Sequence, residues 1–98
     1  MNYQITSDNI SLSPSMKSLA LDKLQKLDRI LKDIPEDSRS ARVVLNKGAG
    51  DEDTFEVKIH LNAKGKEYFS NDTDYTLETA IVRTIEELAR MIEKEKKY

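Results

Sequence analysis

The sequence predicts an α+β fold with the order β-α-β-β-β-α, in which both helices pack on one face of a four-stranded mixed sheet. Two stretches carry apolar residues at steps of three and four, the period of a one-sided helix, and a stretch between them alternates strictly. The first helix is long enough to cross between parallel strands, whereas short turns make the later strands antiparallel. A single apolar stripe on each helix implies that both helices cover the same face of the sheet.

The N-terminal third of the chain supplies a strand and a long helix. Residues 2–6 alternate between polar and apolar side chains, which favours a short first strand. The helix is predicted to begin at Pro14 and to end near Ile34, with Ser13 as its N-cap. Its apolar side chains, which must face the core, are Met16, Leu19, Ala20, Leu24, Leu27, Leu31 and Ile34.

The middle of the chain supplies three strands. Residues 41–47 form the first of them, and residues 54–61 form the second, with one buried and one wet face. The segment 62–65 is a tight turn that ends in a glycine, which can take a positive φ. The third of these strands is predicted at 67–71, and the polar run 71–74 ends it.

The last helix is predicted to begin after Thr76, which is a typical N-cap residue. Its apolar stripe consists of Leu77, Ala80, Ile81, Thr84, Ile85, Leu88 and Ile92. Lysines at 94, 96 and 97 follow in the final turn, where positive charge favours the negative end of the helix dipole. These lysines have two interpretations, because they either complement the dipole or contact a polyanion.

Length and composition limit the classes of protein that the chain can represent. A chain of 98 residues is predicted to form a single domain over 1–98. It has no cysteine, which excludes disulfides and thiolate metal sites and suits a reducing cytoplasm. The N-terminus shows no signal-peptide pattern, and no stretch approaches the ~20 apolar residues that span a bilayer, so we expect no membrane partner.

The charges are distributed unevenly along the chain. The net charge is −2, but the first helix over 14–32 holds five bases against two acids. Many of the acids fall in the predicted loops, and the last helix holds five bases against five acids. Because salt screens exposed charges beyond ~8–10 Å, the local field of the first helix can attract a polyanion although the whole chain is acidic.

Several short motifs stand in an order and spacing that cover nearly the whole chain. They are Ile5-Thr6-Ser7, Leu12-Ser13-Pro14-Ser15-Met16-Lys17, Lys23-Leu24-Gln25-Lys26-Leu27, Ala80-Ile81 and Leu88-Ala89-Arg90. Together they resemble the ribosome hibernation promoting factor family, which includes the ribosome-associated inhibitor A proteins and the sigma-54 modulation proteins. The chain looks like the short form of this family, which lacks a C-terminal dimerisation domain.

The resemblance implies a cytoplasmic stress or stationary-phase factor that binds the small ribosomal subunit. Such proteins occupy the channel where mRNA and tRNA would otherwise sit, so translation is inhibited by occlusion. We expect a monomer off the ribosome, with no small-molecule substrate. The residues expected to contact ribosomal RNA are Lys17, Lys23, Lys26, Arg29, Arg90, Lys94 and Lys97.

No set of side chains in the sequence indicates catalysis or a metal site. His60 is the only histidine, and it lacks the partners of a metal site or a catalytic triad. The acids Asp51, Glu52 and Asp53 lack the ligand spacing of a calcium loop and indicate a solvated turn. We therefore expect neither enzyme activity nor a metal or other cofactor.

The residues alone leave three other interpretations open. In the first, the basic residues of the first helix are a solvated surface without a ligand, as charged helix faces usually are. In the second, the polar face of the sheet binds a protein partner through Arg42, Glu56, Lys58 and His60. In the third, the domain binds free duplex RNA, which other folds with a sheet and two helices also bind.

Overall fold

A computed structural model describes residues 1–48, 50 and 53–95 of the chain. The elements are β1 (Asn2–Thr6), α1 (Pro14–Ile30), a 3-10 turn (Glu36–Ser38), β2 (Arg39–Lys47), β3 (Phe55–Ala63), β4 (Lys66–Asp74) and α2 (Leu77–Glu95). This is the order that the sequence predicts. The acids Asp51 and Glu52 and the lysines Lys96 and Lys97, on which expectations were placed above, lie outside the described residues.

The four strands form one mixed sheet in the order β1-β2-β3-β4. Strand β1 pairs with β2 in parallel, with Ile5 opposite Val43, and the other two pairings are antiparallel. The crossover through α1 and the antiparallel meander of β2, β3 and β4 therefore agree with the prediction. No helix among the described ranges is long and apolar enough to cross a membrane.

One hydrophobic core lies between the two helices and the inward face of the sheet. Leu24 and Leu27 of α1 and Ile81 and Leu88 of α2 are fully buried in the same cluster as Ile59 of β3. Along β3, and along β2 as far as Leu45, buried residues alternate with more exposed ones, as expected when one face is covered and the other is wet. The helices therefore cover one face, as predicted.

Helix α1 ends at Ile30, so the prediction that it continues to about Ile34 was wrong. Leu31 is the C-cap, with φ −99° and ψ 17°, and its N–H donates to the carbonyl of Leu27. The N–H of Ile34 donates to the carbonyl of Leu31, three residues back, so the chain leaves the helix through a tighter turn before Pro35. Leu31 is still buried, because the turn after the helix keeps packing on the core. The helical spacing of apolar residues therefore continues beyond the end of α1, so it does not mark where the helix stops.

Strand β4 runs to Asp74, so the prediction that the polar run 71–74 ends it was also wrong. Asp74 lies opposite Phe55, and Thr73 lies opposite Glu56, which continues the ladder to the end of β3. Pairing with a neighbouring strand outweighs the weak strand propensity of these polar residues. A tight turn precedes β4 as predicted, with positive φ of 54° at Lys64 and 78° at Gly65, but it is shorter than the predicted 62–65 because β3 continues to Ala63.

Candidate nucleic-acid interface

A groove of about 370 Å³ runs between α1 and α2. Lys23, Lys26 and Arg29 line it from α1, at helical spacings of three that place them along one side. Val82 and Ile85 line it from α2. The buried residues Leu24 and Leu27 fix the rotation of α1 about its axis, because they must face the core. The sequence thus places these three cations at the junction of the helices, on the side of the molecule away from the sheet.

The three cations of the groove are not equivalent. Lys23 has a side chain that is only 31% exposed, and its Nζ lies 3.1 Å from Oε2 of Glu78 and 3.9 Å from Oδ2 of Asp22. Lys26 and Arg29 are exposed, and neither makes an ion pair with any described residue. Lys26 and Arg29 can therefore bind an anion directly, whereas Lys23 must first break its ion pairs with Glu78 and Asp22.

The remaining expected contact residues lie elsewhere. Lys17 is exposed on α1 but does not line the groove. Arg90 and Lys94 of α2 line a second hollow of about 430 Å³, together with Met91 and two glutamates. Lys97 lies outside the described residues. The structure thus brings together three of the seven residues predicted from the sequence, and separates Arg90 and Lys94 as a second, acid-balanced pair of cations.

Sequence reasoning counted Asp22 on α1 but missed the acids that α2 brings to the groove cations. Asp22 and Glu86 line the groove, and Glu78 pairs with Lys23 from the first turn of α2. Counting charges on α1 alone left out the acids that α2 contributes. The spacing of Glu78, Val82 and Glu86 predicts that they share a side of α2. Which turn of α1 they meet depends on the stagger of the two helices, which the sequence pattern does not contain.

Two tyrosines tie the helices to the outer strands of the sheet. The hydroxyl of Tyr3 in β1 donates to Asp28 and lies 3.1 Å from the carbonyl oxygen of Leu24, both on α1. Burial, and next the hydrogen bond to Asp28, raise the pKa of Tyr3 well above its usual range. The hydroxyl of Tyr68 in β4 donates to Glu95 of α2. These ties hold the helices that form the groove.

In the second tie, the pKa values of Tyr68 and of Glu95 are both shifted. Burial, and next the hydrogen bond to Glu95, raise the pKa of Tyr68 to about 12. Hydrogen bonds from Lys66 and from Tyr68 hold the pKa of Glu95 below its usual value. Lys66 Nζ lies 2.8 Å from Oε2 of that carboxylate. The final turn of α2 is therefore fastened to β4 by both a neutral and a charged donor.

The face of the sheet opposite the helices is open and polar. It contains a hollow of about 290 Å³ whose lining includes Arg42 and His60. His60 Nε2 lies 3.6 Å from Oε1 of Glu67, and Lys58 Nζ lies 3.8 Å from Oε1 of Glu56. Among the described residues, no group of three or more histidines, cysteines or acids could hold a metal ion.

Fold and groove together define a small α+β protein with exposed cations between two helices that cover one face of the sheet. The N-terminal domain of Protein Y from Thermus thermophilus has a similar structure, with a TM-score of 0.80 and 24% identity over 96% of this chain and 98% of that one. A ribosomal subunit interface protein from Coxiella burnetii has a TM-score of 0.77 and 15% identity, and the two chains are covered completely. At these identities the likeness shows the fold. No curated protein sequence matches the chain.

The family model described as sigma 54 modulation protein / S30EA ribosomal protein matches residues 3–98, and the chain belongs to this family. The family is one of ribosome-associated proteins, and its description names no enzyme. The resemblance seen in the sequence motifs is thereby confirmed.

Proposed function

We propose that this protein is a hibernation factor that binds the small ribosomal subunit through phosphates of ribosomal RNA. It occupies the channel for mRNA and tRNA and inhibits translation in starved or stressed cells. The observation that carries the proposal is the pair of exposed cations Lys26 and Arg29, which make no ion pair with a described residue, in the groove of a chain that belongs to a ribosome-associated family. The similar structure from Coxiella burnetii is named a ribosomal subunit interface protein, which supports a ribosomal partner.

The arrangement of the groove suits phosphate rather than base recognition. Phosphate contacts need cations on a rigid surface, and they position a protein without reading sequence. The core residues beneath α1 supply that rigidity, since Leu24 and Leu27 are fully buried. Arg29 adds a planar guanidinium that can bind two phosphate oxygens at once, whereas Lys26 acts as a point charge. Lys17, Arg90, Lys94 and Lys97 extend the proposed contact beyond the groove.

The proposed binding mode accounts for inhibition of translation without any catalytic step. A protein that fills a channel excludes other occupants by its volume alone. It needs no catalytic group, cofactor or small-molecule substrate, and we propose a cytoplasmic monomer in the unbound state. This mode predicts that inhibition follows occupancy of the small subunit. Translation should therefore resume when the protein dissociates.

Cosedimentation with purified small subunits at several salt concentrations tests the partner. Each phosphate contact releases counterions, so the logarithm of the binding constant should fall by about 0.7–0.9 per contact for each decade of salt. Free duplex RNA of the same concentration is the matched competitor. Binding to the duplex as tight as to subunits would favour the general RNA-binding interpretation and contradict the proposal.

The variant Lys26→Glu tests the site. It removes one unpaired groove cation, so binding should weaken and the salt slope should become shallower by about one unit. Lys64→Glu is the matched control, because it makes the same charge change on an exposed residue of the β3–β4 turn. Equal binding by Lys26→Glu and by the control would contradict the assignment of the groove.

The variant Glu78→Gln tests the inequality among the groove cations. Glu78 competes with phosphate for Lys23, at 3.1 Å in the free protein. An exposed ion pair is worth ~0.2–1 kcal/mol, so freeing Lys23 should tighten subunit binding by up to about fivefold. Asp37→Asn removes one negative charge from the exposed 3-10 turn and serves as the control. Unchanged affinity in Glu78→Gln would show that Lys23 does not contact the RNA.

A further inference from the structure

The open face of the sheet carries an ordered row of side chains that crosses all four strands. Gln4 lies opposite Arg42 in the β1–β2 pairing, Arg42 lies opposite His60, and His60 lies opposite Phe69. All four side chains are exposed. Neighbouring strands lie ~4.8 Å apart, so an amide, a guanidinium, an imidazole and a phenyl ring follow one another across the surface.

Phe69 is the unusual member of this row. It is 53% exposed, and no other large apolar residue within the four strands is exposed among the described residues. Its ring meets His60 edge to face, with 6.3 Å between centroids and an interplanar angle of 82°. With about half of its surface exposed, the side chain of Phe69 remains accessible from solvent. Leaving a phenyl ring in water costs hydrophobic free energy, so the position calls for an explanation.

Arg42 is the second member with a free planar surface. It makes no hydrogen bond or ion pair with any residue that the structure describes, and it lines the hollow of about 290 Å³. The next row across the sheet consists of Asn2, Ser40, Asn62 and Glu67, which also line this hollow. A flat guanidinium beside amide, hydroxyl and carboxylate groups provides both stacking and hydrogen bonds to the edge of a flat polar ligand.

We propose that this open sheet face binds unpaired nucleotides of RNA, with one base stacked on Phe69 and the adjacent nucleotide held by Arg42 above the polar hollow. Aromatic and guanidinium planes are the groups on which proteins stack single-stranded bases, and a sheet surface leaves room for splayed bases. Amide groups such as Gln4 and Asn62 then meet the base edges. This site is additional to the groove and does not depend on it.

The chemistry of the face favours single-stranded RNA over a protein or a duplex. The core of a protein interface is apolar, whereas Phe69 is the one exposed large apolar residue within the described strands. A duplex is held by several cations on its phosphates, but Lys58 on this face lies 3.8 Å from a carboxylate oxygen of Glu56, which leaves Arg42 as the cation of the face without an ion pair to a described residue. Stacking is the interaction that one exposed ring and one free guanidinium can supply.

The two surfaces lie on opposite sides of the molecule, because the core separates the helices from the open face. A protein with both can contact two separate RNA segments at once. In the groove the contact is to phosphates and depends strongly on salt. On the sheet it is to bases and depends mainly on the ring at 69. This difference makes the two sites distinguishable by experiment.

Fluorescence anisotropy with a labelled single-stranded RNA hexamer tests the proposal on the whole chain. Phe69→Ala should weaken binding about tenfold, which matches the ~1–3 kcal/mol loss of one stacked base, while Phe69→Tyr should retain affinity. Thr73→Ala is the matched control, since Thr73 is an exposed residue on the same strand and face. Phe69 is exposed, so these variants should fold, and their melting temperatures check this.

Three results would overturn the proposal. The first is equal hexamer binding by Phe69→Ala and the wild type. The second is binding that Lys26→Glu abolishes and Phe69→Ala leaves unchanged, because the RNA would then lie in the groove. The third is a purified protein partner whose binding resists nuclease and is lost in Phe69→Ala. Failure of the protein to bind ribosomal subunits would leave this proposal standing, since the hexamer assay contains no ribosome.

Discussion

Each helix is fastened to the sheet by a tyrosine, a carboxylate and a cation, but the two fastenings differ in burial. On α1, Asp28 receives the hydroxyl of Tyr3 and lies 3.3 Å from Nη1 of Arg39. On α2, Glu95 plays the same part for a tyrosine and a lysine of β4. The side chain of Arg39 is 9% exposed, whereas that of Lys66 is 60% exposed.

Two ties built from the same kinds of side chain can therefore stabilise the folded state by different amounts. An ion pair in water contributes little, because solvent already satisfies both charges. A buried cation that loses its partner is costly, because no water replaces it. The tie on α1 should therefore be structural, and the tie on α2 should act mainly on the last turn. The four predictions below test that contrast, beginning with the core that both helices share.

The largest effect is expected in the core beneath the two helices. Leu27→Ala and Leu88→Ala should each lower the free energy of unfolding by ~2–5 kcal/mol, through lost burial and the cavity left behind. Both leucines are fully buried, one under each helix. Urea denaturation followed by circular dichroism measures the change. A large loss for one leucine and none for the other would show that the helices contribute unequally even before their ties are considered.

The next effect separates the two ties directly. Asp28→Ala should lower the free energy of unfolding by ~1.5–3 kcal/mol, because it removes the carboxylate that accepts from Tyr3 and forms ion pairs with Arg39 and the N-terminal amine. Arg39 then keeps its hydrogen bond to the backbone carbonyl of residue 28 but loses its counter-charge. Glu95→Ala should change the thermal midpoint little, since the carboxylate is exposed to water. Differential scanning calorimetry of both variants gives the comparison. Equal losses in the two variants would contradict the importance given to burial.

The N-caps of the two helices should behave alike. The hydroxyl of Ser13 accepts from the N–H of Met16, and that of Thr76 accepts from the N–H of Thr79, each at 3.2 Å. Ser13→Ala and Thr76→Ala should each cost ~1 kcal/mol. Ser15→Ala, an exposed change in the first turn of α1, is the control for both in the same denaturation assay. A loss confined to one cap would mean that the other helix does not depend on its N-cap for stability.

The smallest effect is a dependence of stability on alkaline pH. The pKa of each tied tyrosine is raised above the ordinary 10, so above pH 10 the unfolded chain loses a proton that the folded chain keeps. Stability should therefore fall as the pH rises from 10 towards 12. Tyr3→Phe should remove more of this fall than Tyr68→Phe, when thermal midpoints are compared at pH 9 and pH 11. An identical fall in both variants and the wild type would assign it to other groups, such as lysines.

Much of this architecture can be predicted from residue spacing, because burial of one face imposes a period on the sequence. The stripes of both helices and the alternation of β3 follow from that rule. The end of α1 does not, because Leu31 is buried whether it lies in a helix or in the turn that follows. The extension of β4 to Asp74 depends on a partner strand, and pairing is invisible in the propensities of single residues.

The candidate site, too, could be predicted from the sequence only in part. That Lys23, Lys26 and Arg29 share a side of α1 follows from helical spacing, and the structure places all three in the groove. That Glu78 neutralises one of them depends on how two helices are staggered, which side-chain packing determines. The separation of Arg90 and Lys94 from the groove has the same origin. Spacing predicts neighbours on one element, but it does not predict neighbours across elements.

The parallel pairing of β1 with β2 has a consequence for the order of folding. Asn2 lies opposite Ser40, so β1 finds its partner only after a loop that contains the whole of α1 has closed. The hairpins among β2, β3 and β4 close over much shorter distances, which favours their early formation. We expect Ile5→Ala to accelerate unfolding while leaving the refolding rate nearly unchanged, as stopped-flow kinetics would reveal. The first strand to leave the ribosomal exit tunnel would then be the last to join its sheet.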